Sequence, residues 1–359
     1  MNSKERFLSA ARNNKPDRVP VFANLTPQIA EKLGKKMNLP YEPVDSLLST
    51  RISHTKILLE LGNDAVGIGP SREIPTKQLK DGRLQDEFGI IYKRVGLYDE
   101  AVERPLSNME TIADLKKFKM PDPLAESRYE LAEEMVDQYA DDYAIVGDLE
   151  ATIFELAWNL VGLDKFLMDL SFKKDYIFEL INKIVEFNKK IAVKLTKLGS
   201  DMLWLGDDFG TQKGMMINPD LYRDVFKPKQ REIIKAVKNI NPDIIIAYHS
   251  CGSIRPIIND LIEIGVEVLN PIQPRAKDMN LQELKNDYSD KIAFFGTIDV
   301  QDTLPNGTVQ DVKQEVKLRI EQGAAGGGLI LAPAHNIQAD TPLENIYAMF
   351  DAIKEYGVY

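Results

Sequence analysis

Eight short apolar stretches recur along this chain, with helical patterns between them. That alternation limits the fold more than any other feature. The stretches are Arg18–Phe22, Asp64–Gly69, Asp142–Gly147, Asp201–Gly206, Asp243–Ala247, Val266–Leu269, Lys291–Phe295 and Gly328–Ala332. Strands connected through helices run parallel, since parallel neighbours need a long crossover. Eight such units predict an α/β protein, a single (β/α)8 TIM barrel covering residues 1–359. A doubly wound open sheet is the alternative. Residues 74–96 break the pattern. Asp81-Gly82 lies there between extended runs, which predicts a β-hairpin insertion after strand two. Residues 43–61 read as a helix carrying His54 as a structural residue.

The residues that follow each strand carry the chemistry. In a barrel the carboxyl ends of the strands ring one mouth, where active sites sit. Here they bear Asn24 after strand one, Glu150 after strand three, and Asp207 and Asp208 after strand four. His249 and Cys251 follow strand five, Asn270 and Gln273 strand six, and His335 and Gln338 strand eight. His249 and Cys251 are two apart, so on extended backbone their side chains point the same way. Cys251 is the only cysteine and His249 one of three histidines. An imidazole beside a thiolate suits zinc. The plainer reading is a small buried thiol and a hydrogen-bonded histidine at a strand end.

His335 is the candidate third ligand, because the barrel mouth brings opposed loops close. A carboxylate (Glu150, Asp207 or Asp208), water or substrate would complete the set. An open fourth position is the mark of a catalytic zinc, and zinc would hold an incoming thiol as thiolate. Asp208 joins His249, Cys251 and His335 as a candidate catalytic residue. Asn24, Glu150, Asp207, Tyr248, Asn270, Gln273 and Gln338 are candidate substrate contacts. Phe22, Trp204, Phe209 and Tyr248 line the mouth or fill the core.

Charge narrows the partners. The 45 Lys and Arg against 55 Asp and Glu leave a net charge of −10, which disfavours nucleic acid and anionic membranes. A lone cysteine permits no intrachain disulfide, which fits a reducing compartment. No apolar run approaches the ~20 residues of a membrane span, and the first residues lack a signal-peptide pattern. A cytoplasmic protein is expected.

Several segments resemble the uroporphyrinogen decarboxylase superfamily. They are Pro16-Asp17-Arg18-Val19-Pro20-Val21, Phe154-Glu155-Leu156-Ala157, Ile217-Asn218-Pro219-Asp220-Leu221-Tyr222, His249-Ser250-Cys251-Gly252, Phe295-Gly296-Thr297-Ile298-Asp299 and Ala332-Pro333-Ala334-His335. The resemblance implies a (β/α)8 barrel and one of two chemistries. Decarboxylases of this superfamily use no cofactor and grip a polycarboxylate tetrapyrrole with an arginine-rich segment after strand one. Here that stretch is Ala23-Asn24-Leu25-Thr26-Pro27-Gln28, without arginine. The methyltransferase branch carries His-x-Cys after strand five, matched by His249 and Cys251, and a second cysteine after strand eight, where this chain has His335. That branch implies zinc, a corrinoid supplied by a partner protein, and a thiol or folate-like methyl acceptor. Barrels of the superfamily often pair as homodimers. The expected function is therefore zinc-dependent methyl transfer. A cofactor-free uroporphyrinogen decarboxylase is the alternative, and a non-catalytic corrinoid or tetrapyrrole binder a further one.

Overall fold

The structure is a computed structural model that describes residues 1–49, 51–96 and 98–359. Seven parallel strands form one curled sheet in sequence order: β1 (Ala65–Ile68), β6 (Ala144–Glu150), β7 (Met202–Gly206), β8 (Ile245–His249), β9 (Val268–Asn270), β10 (Ala293–Phe295) and β11 (Leu329–Ile330). Each pairs in parallel with its neighbour in that order, the arrangement of a TIM-barrel-like α/β fold.

The segment expected as strand one spans the two edges of this sheet without forming a ladder. Val21 bridges Leu331 and Leu25 bridges Ile337, both in parallel sense. On the other side the Asp64 N–H donates to the Val21 carbonyl at 2.7 Å. Pro20 has no N–H to give a ladder. The N–H groups of Val21 and Ala23 go instead to side chains, Asp64 Oδ2 and Asn63 Oδ1, each at 2.9 Å.

Between β1 and β6 lies a separate antiparallel sheet of four strands: β2 (Lys77–Gln78), β3 (Leu84–Gln85), β4 (Ile91–Val95) and β5 (Tyr98–Glu103). It is larger than the single hairpin expected over 74–96. The helix expected over 43–61 is also shorter and covers only Thr55–Leu61. His54 precedes it with a left-handed backbone (φ 63°), which breaks a helix continuing from residue 43. Residues 42–49 and 51–54 are consequently not helical, and Arg51 reaches the mouth of the sheet.

Side-chain alternation sorts the strands into two layers. Val146, Met202, Trp204, Ile245, Ala247, Val268 and Phe295 point to the inside of the curl. Their neighbours Ile145, Leu203, Leu205, Ile246 and Leu269 point outward into the apolar layer under the helices. The helix Ser3–Ala11 closes the amino end of the inside layer with Phe7, Ala10 and Ala11, and the Phe7 ring meets Phe22 edge-on at 5.9 Å. A capping box between Asn2 and Glu5 starts that helix. Among the described residues no helix is long and apolar enough to cross a membrane.

Asp64 ties this end together. Its carboxylate is fully buried and accepts from Arg6 Nη1 at 2.8 Å, Arg18 Nη2 at 2.9 Å and the Val21 N–H. Removing one partner of a buried ion pair strands the others and costs about 3–5 kcal/mol. Asp64→Ala should lower unfolding stability by about that amount in denaturant titration. A loss below about 1 kcal/mol would show that 19–25 is not held this way.

Candidate active site

The inward set on β8 runs Ile245, Ala247, His249, so strand parity alone turns the His249 imidazole into the mouth. Tyr248 faces the other way. It lies in the outer apolar layer, fully buried, with its hydroxyl bonded to Gln230 and to Asp207 Oδ2 at 3.4 Å. It is therefore a wall residue and not the substrate contact expected. The same parity separates two adjacent aspartates after β7. Asp208 enters the mouth. Asp207 is fully buried in the wall, where its carboxylate accepts the N–H groups of Ile153 and Glu155 at 2.9 Å and anchors the start of helix Phe154–Val161. Burial pushes the Asp207 carboxyl up to about 7. Of the four aromatic candidates, Phe22 and Trp204 line the mouth, while Phe209 and Tyr248 belong to the outer layer.

His249 is the centre of the constellation. Its Nδ1 lies 2.6 Å from Asn270 Oδ1, so the Nδ1–H donates there and Nε2 is turned into the mouth. Three electron-rich atoms converge on Nε2: Asp208 Oδ1 at 3.4 Å, Cys251 Sγ at 3.5 Å and Glu150 Oε1 at 3.6 Å. One ligand atom each from Asp208, His249 and Cys251 lie within 4.8 Å of one another. The Cys251 N–H donates to Asp208 Oδ1 at 2.7 Å, which locks the two loops together. Burial opposes charge on His249, yet Cys251 and Asp208 outweigh it and raise the imidazole to about 10. Burial raises the Cys251 thiol, with His249 pulling the other way. Burial also acts to raise Asp208, but the hydrogen bond from His249 brings it down to about 2.

His335 stands apart from that group. Among the described residues the metal-capable cluster has Asp208 in the place expected for His335. The His335 ring is open to the cleft but crowded by protein. Desolvation, helped by His249 and Arg51, lowers its imidazole to about 4. It shares a narrow cavity of about 10 Å³, room for about one water-sized group, with Asn24, Arg51, Trp204 and His249.

The remaining expected contacts divide. Asn24 lines that cavity and its Oδ1 is buried without a hydrogen-bond partner. Asn270 orients His249, and its own Nδ2 donates to the Phe295 carbonyl at 3.3 Å. Gln273 accepts from the Gly252 N–H at 2.9 Å and from Gln212 at 2.8 Å, so it braces the Cys251 loop. Gln338 is half-buried, beyond Ile337, which bridges Leu25.

Two residues of the site, Arg51 and Glu155, had no strand-end signal. Arg51 arrives on the loop mistaken for a helix. Its guanidinium pairs with Glu150, lies 4.7 Å from the Trp204 ring centre and approaches His249 Nδ1 to 3.5 Å. Asp148, inward on β6, accepts from Ser49 Oγ at 2.6 Å, and burial raises its carboxyl against the pull of Arg51. Glu155 is the other. It sits in the first turn of its helix, where burial and the charges of Asp208 and Asp207 raise its carboxyl well above the usual range. Extending the search for ionisable groups to the first turn of each following helix would have found it.

Gly252 sets the spacing of the two ligand loops. Its φ is +78°, and a Cβ there would meet Gly210 C at 2.6 Å and Thr211 N at 2.7 Å. Gly252→Ala should push apart the loops bearing Asp208 and Cys251, destabilise the fold by about 1–3 kcal/mol and weaken metal uptake. Unchanged melting and metal titration curves would contradict this packing.

Comparison with known proteins shows the family and the fold. The model of the uroporphyrinogen decarboxylase (URO-D) family matches residues 99–356. The methylcobamide:CoM methyltransferase MtaA of Methanosarcina barkeri is 28% identical over 224 residues, 61% of this chain and 60% of that one. The match thus spans three-fifths of that relative's length. The uroporphyrinogen decarboxylase of Rickettsia felis is 24% identical over 307 residues, 80% of this chain and 84% of the relative. A solved methyltransferase from Methanosarcina mazei superposes with a TM-score of 0.72 at 21% identity over 99% of both chains, a likeness of fold. The chain belongs to the uroporphyrinogen decarboxylase family.

Proposed function

We propose that this chain is a methyltransferase of its family, with zinc held by His249, Cys251 and Asp208 at the mouth of a single (β/α)8 domain. The observation that carries this reading is the crowding around His249 Nε2. Its tautomer is set from behind by Asn270, and Asp208, Cys251 and Glu150 all face it at 3.4–3.6 Å. Asp208, Cys251 and Glu150 would repel one another around that nitrogen without a positive charge among them; the Nε2 proton supplies it in the metal-free chain, and zinc would take that proton's place. One nitrogen, one sulfur and one carboxylate oxygen form a donor set suited to zinc, with a position to spare for an incoming ligand. Bound there, zinc would hold a thiol as its nucleophilic thiolate.

This chain's own residues do the rest. Asn270 fixes the imidazole, Asp208 holds the Cys251 backbone, and Gln273 braces the loop behind it. The transfer itself joins acceptor sulfur to the methyl carbon as the bond to the methyl carrier breaks, the electron pair leaving with the carrier. The names of the Methanosarcina relatives favour a methyl-corrinoid as carrier. A separate corrinoid protein would deliver it.

Uroporphyrinogen decarboxylation is the second reading, favoured by the Rickettsia relatives and by an arginine at the mouth. Charge weighs against it. Arg51 already pairs with Glu150 and feels Asp148 and Asp208, so no unopposed guanidinium awaits a polycarboxylate.

Metal analysis of purified protein discriminates. Wild type should carry about one zinc per chain. Cys251→Ala and Asp208→Ala should lose most of it, and His335→Ala should keep it. A metal-free wild type that turns over uroporphyrinogen, with turnover lost in His335→Ala, would favour the decarboxylase instead.

A further inference from the structure

Metal ligands and free hydrogen-bonding groups occupy opposite sides of the mouth. The loops after β7 and β8 supply Asp208, His249 and Cys251. Facing them, segment 19–25 and the loop after β11 meet through the Ile337 N–H, which donates to the Asn24 carbonyl at 2.9 Å, and they supply Asn24 and His335. Asn24 is 92% buried, yet its Oδ1 has no partner. Trp204 lines the same cavity, and its indole N–H is buried without a partner as well. A buried amide and indole left unsatisfied are costly, and a bound group that both donates and accepts would relieve both.

The charges of the mouth decide what kind of group that is. Among the described residues, Arg51 is the one lysine or arginine lining the cavity. It faces Glu150, with which it pairs, and also Asp148 and Asp208. Arg51 is opposed by Glu150, and His249, the other basic side chain engaged at the mouth, by Asp208 Oδ1 at 3.4 Å, so neither is free to neutralise a sulfonate, phosphate or carboxylate on the substrate. Burying such an anion without a partner is expensive.

We infer that the Asn24 side of the cavity recognises an uncharged hydrogen-bonding group, a hydroxyl or carboxamide, on a small thiol acceptor, and disfavours acceptors with an anionic end. This rests on the methyl-transfer reading and names the acceptor class for that site. The cavity has room for about one water-sized group, about 10 Å³, so it takes a terminal hydroxyl more readily than a bulkier sulfonate.

Two thiols of nearly equal length test it: 2-mercaptoethanol, which ends in a hydroxyl, and 2-mercaptoethanesulfonate, which ends in an anion. Calorimetric titration into the zinc-loaded full chain should give a Kd about tenfold lower for the hydroxyl thiol. Asn24→Ala should bring the ratio toward one. Asn24→Asp keeps an acceptor for the hydroxyl and adds repulsion for the sulfonate, so it should hold or widen the ratio. Equal or tighter binding of the sulfonate by wild type overturns the inference, as does binding of neither thiol. So does a ratio that Asn24→Ala leaves unchanged.

Methyl transfer from methylcobalamin to both thiols is followed in parallel. Transfer without the hydroxyl preference sinks this inference and leaves the methyltransferase reading standing. The hydroxyl preference in binding without transfer to either thiol supports the subsite and counts against methyl transfer.

Discussion

Successive residues of a strand point to opposite faces, and in a curled parallel sheet one face is the inside of the curl. The strand-borne features of the site follow from that constraint. It places His249 in the mouth and Tyr248 in the wall, one residue apart. It turns Asp208 toward the Cys251 loop and Asp207 back into the helix layer. On β6 it lines up Val146, Asp148 and Glu150 on the inner face, so an apolar interior gives way to two carboxylates at the carboxyl end. A one-residue slip of β8 would exchange its buried tyrosine for its histidine and dismantle the centre.

The electrostatics of the mouth grow out of the same geometry. Buried carboxyl groups favour their neutral form, which is why Asp207, Asp148 and Glu155 all shift upward. Asp208 shifts the other way because His249 reaches it directly. The two adjacent aspartates therefore differ in charge as well as in direction. Asp207 is a structural acceptor for helix N–H groups, and Asp208 is an ionised group at the opening. Arg51 stacks on Trp204 and pairs with Glu150, so its charge is spent inside the protein.

Both a methylcobamide:CoM methyltransferase and uroporphyrinogen decarboxylases are similar in sequence to this chain. A mouth dominated by cationic side chains suits a polycarboxylate, and one dominated by metal-binding side chains suits a metal-held thiol. Here one arginine is outnumbered by carboxylates, and a thiol, an imidazole and a carboxylate converge. That balance is the physical ground for preferring methyl transfer.

Much of this was legible in the residue order. The seven sheet strands, their parallel sense and the His249–Cys251 pair all follow from apolar runs, helical spacing and the two-residue interval. Three things were not legible. Arg51 reached the mouth because His54 takes a left-handed backbone and opens a loop where periodicity read as helix. Strand one did not form a ladder, because Pro20 lacks an N–H and because the side chains of Asn63 and Asp64 took the places of backbone partners. Asp208 rather than His335 groups with His249 and Cys251, because that depends on distances between loops from different strands. Local sequence determines which face a side chain takes and which groups are available. Only the closing of the sheet decides which of them meet, since that is set by contacts between residues far apart along the chain.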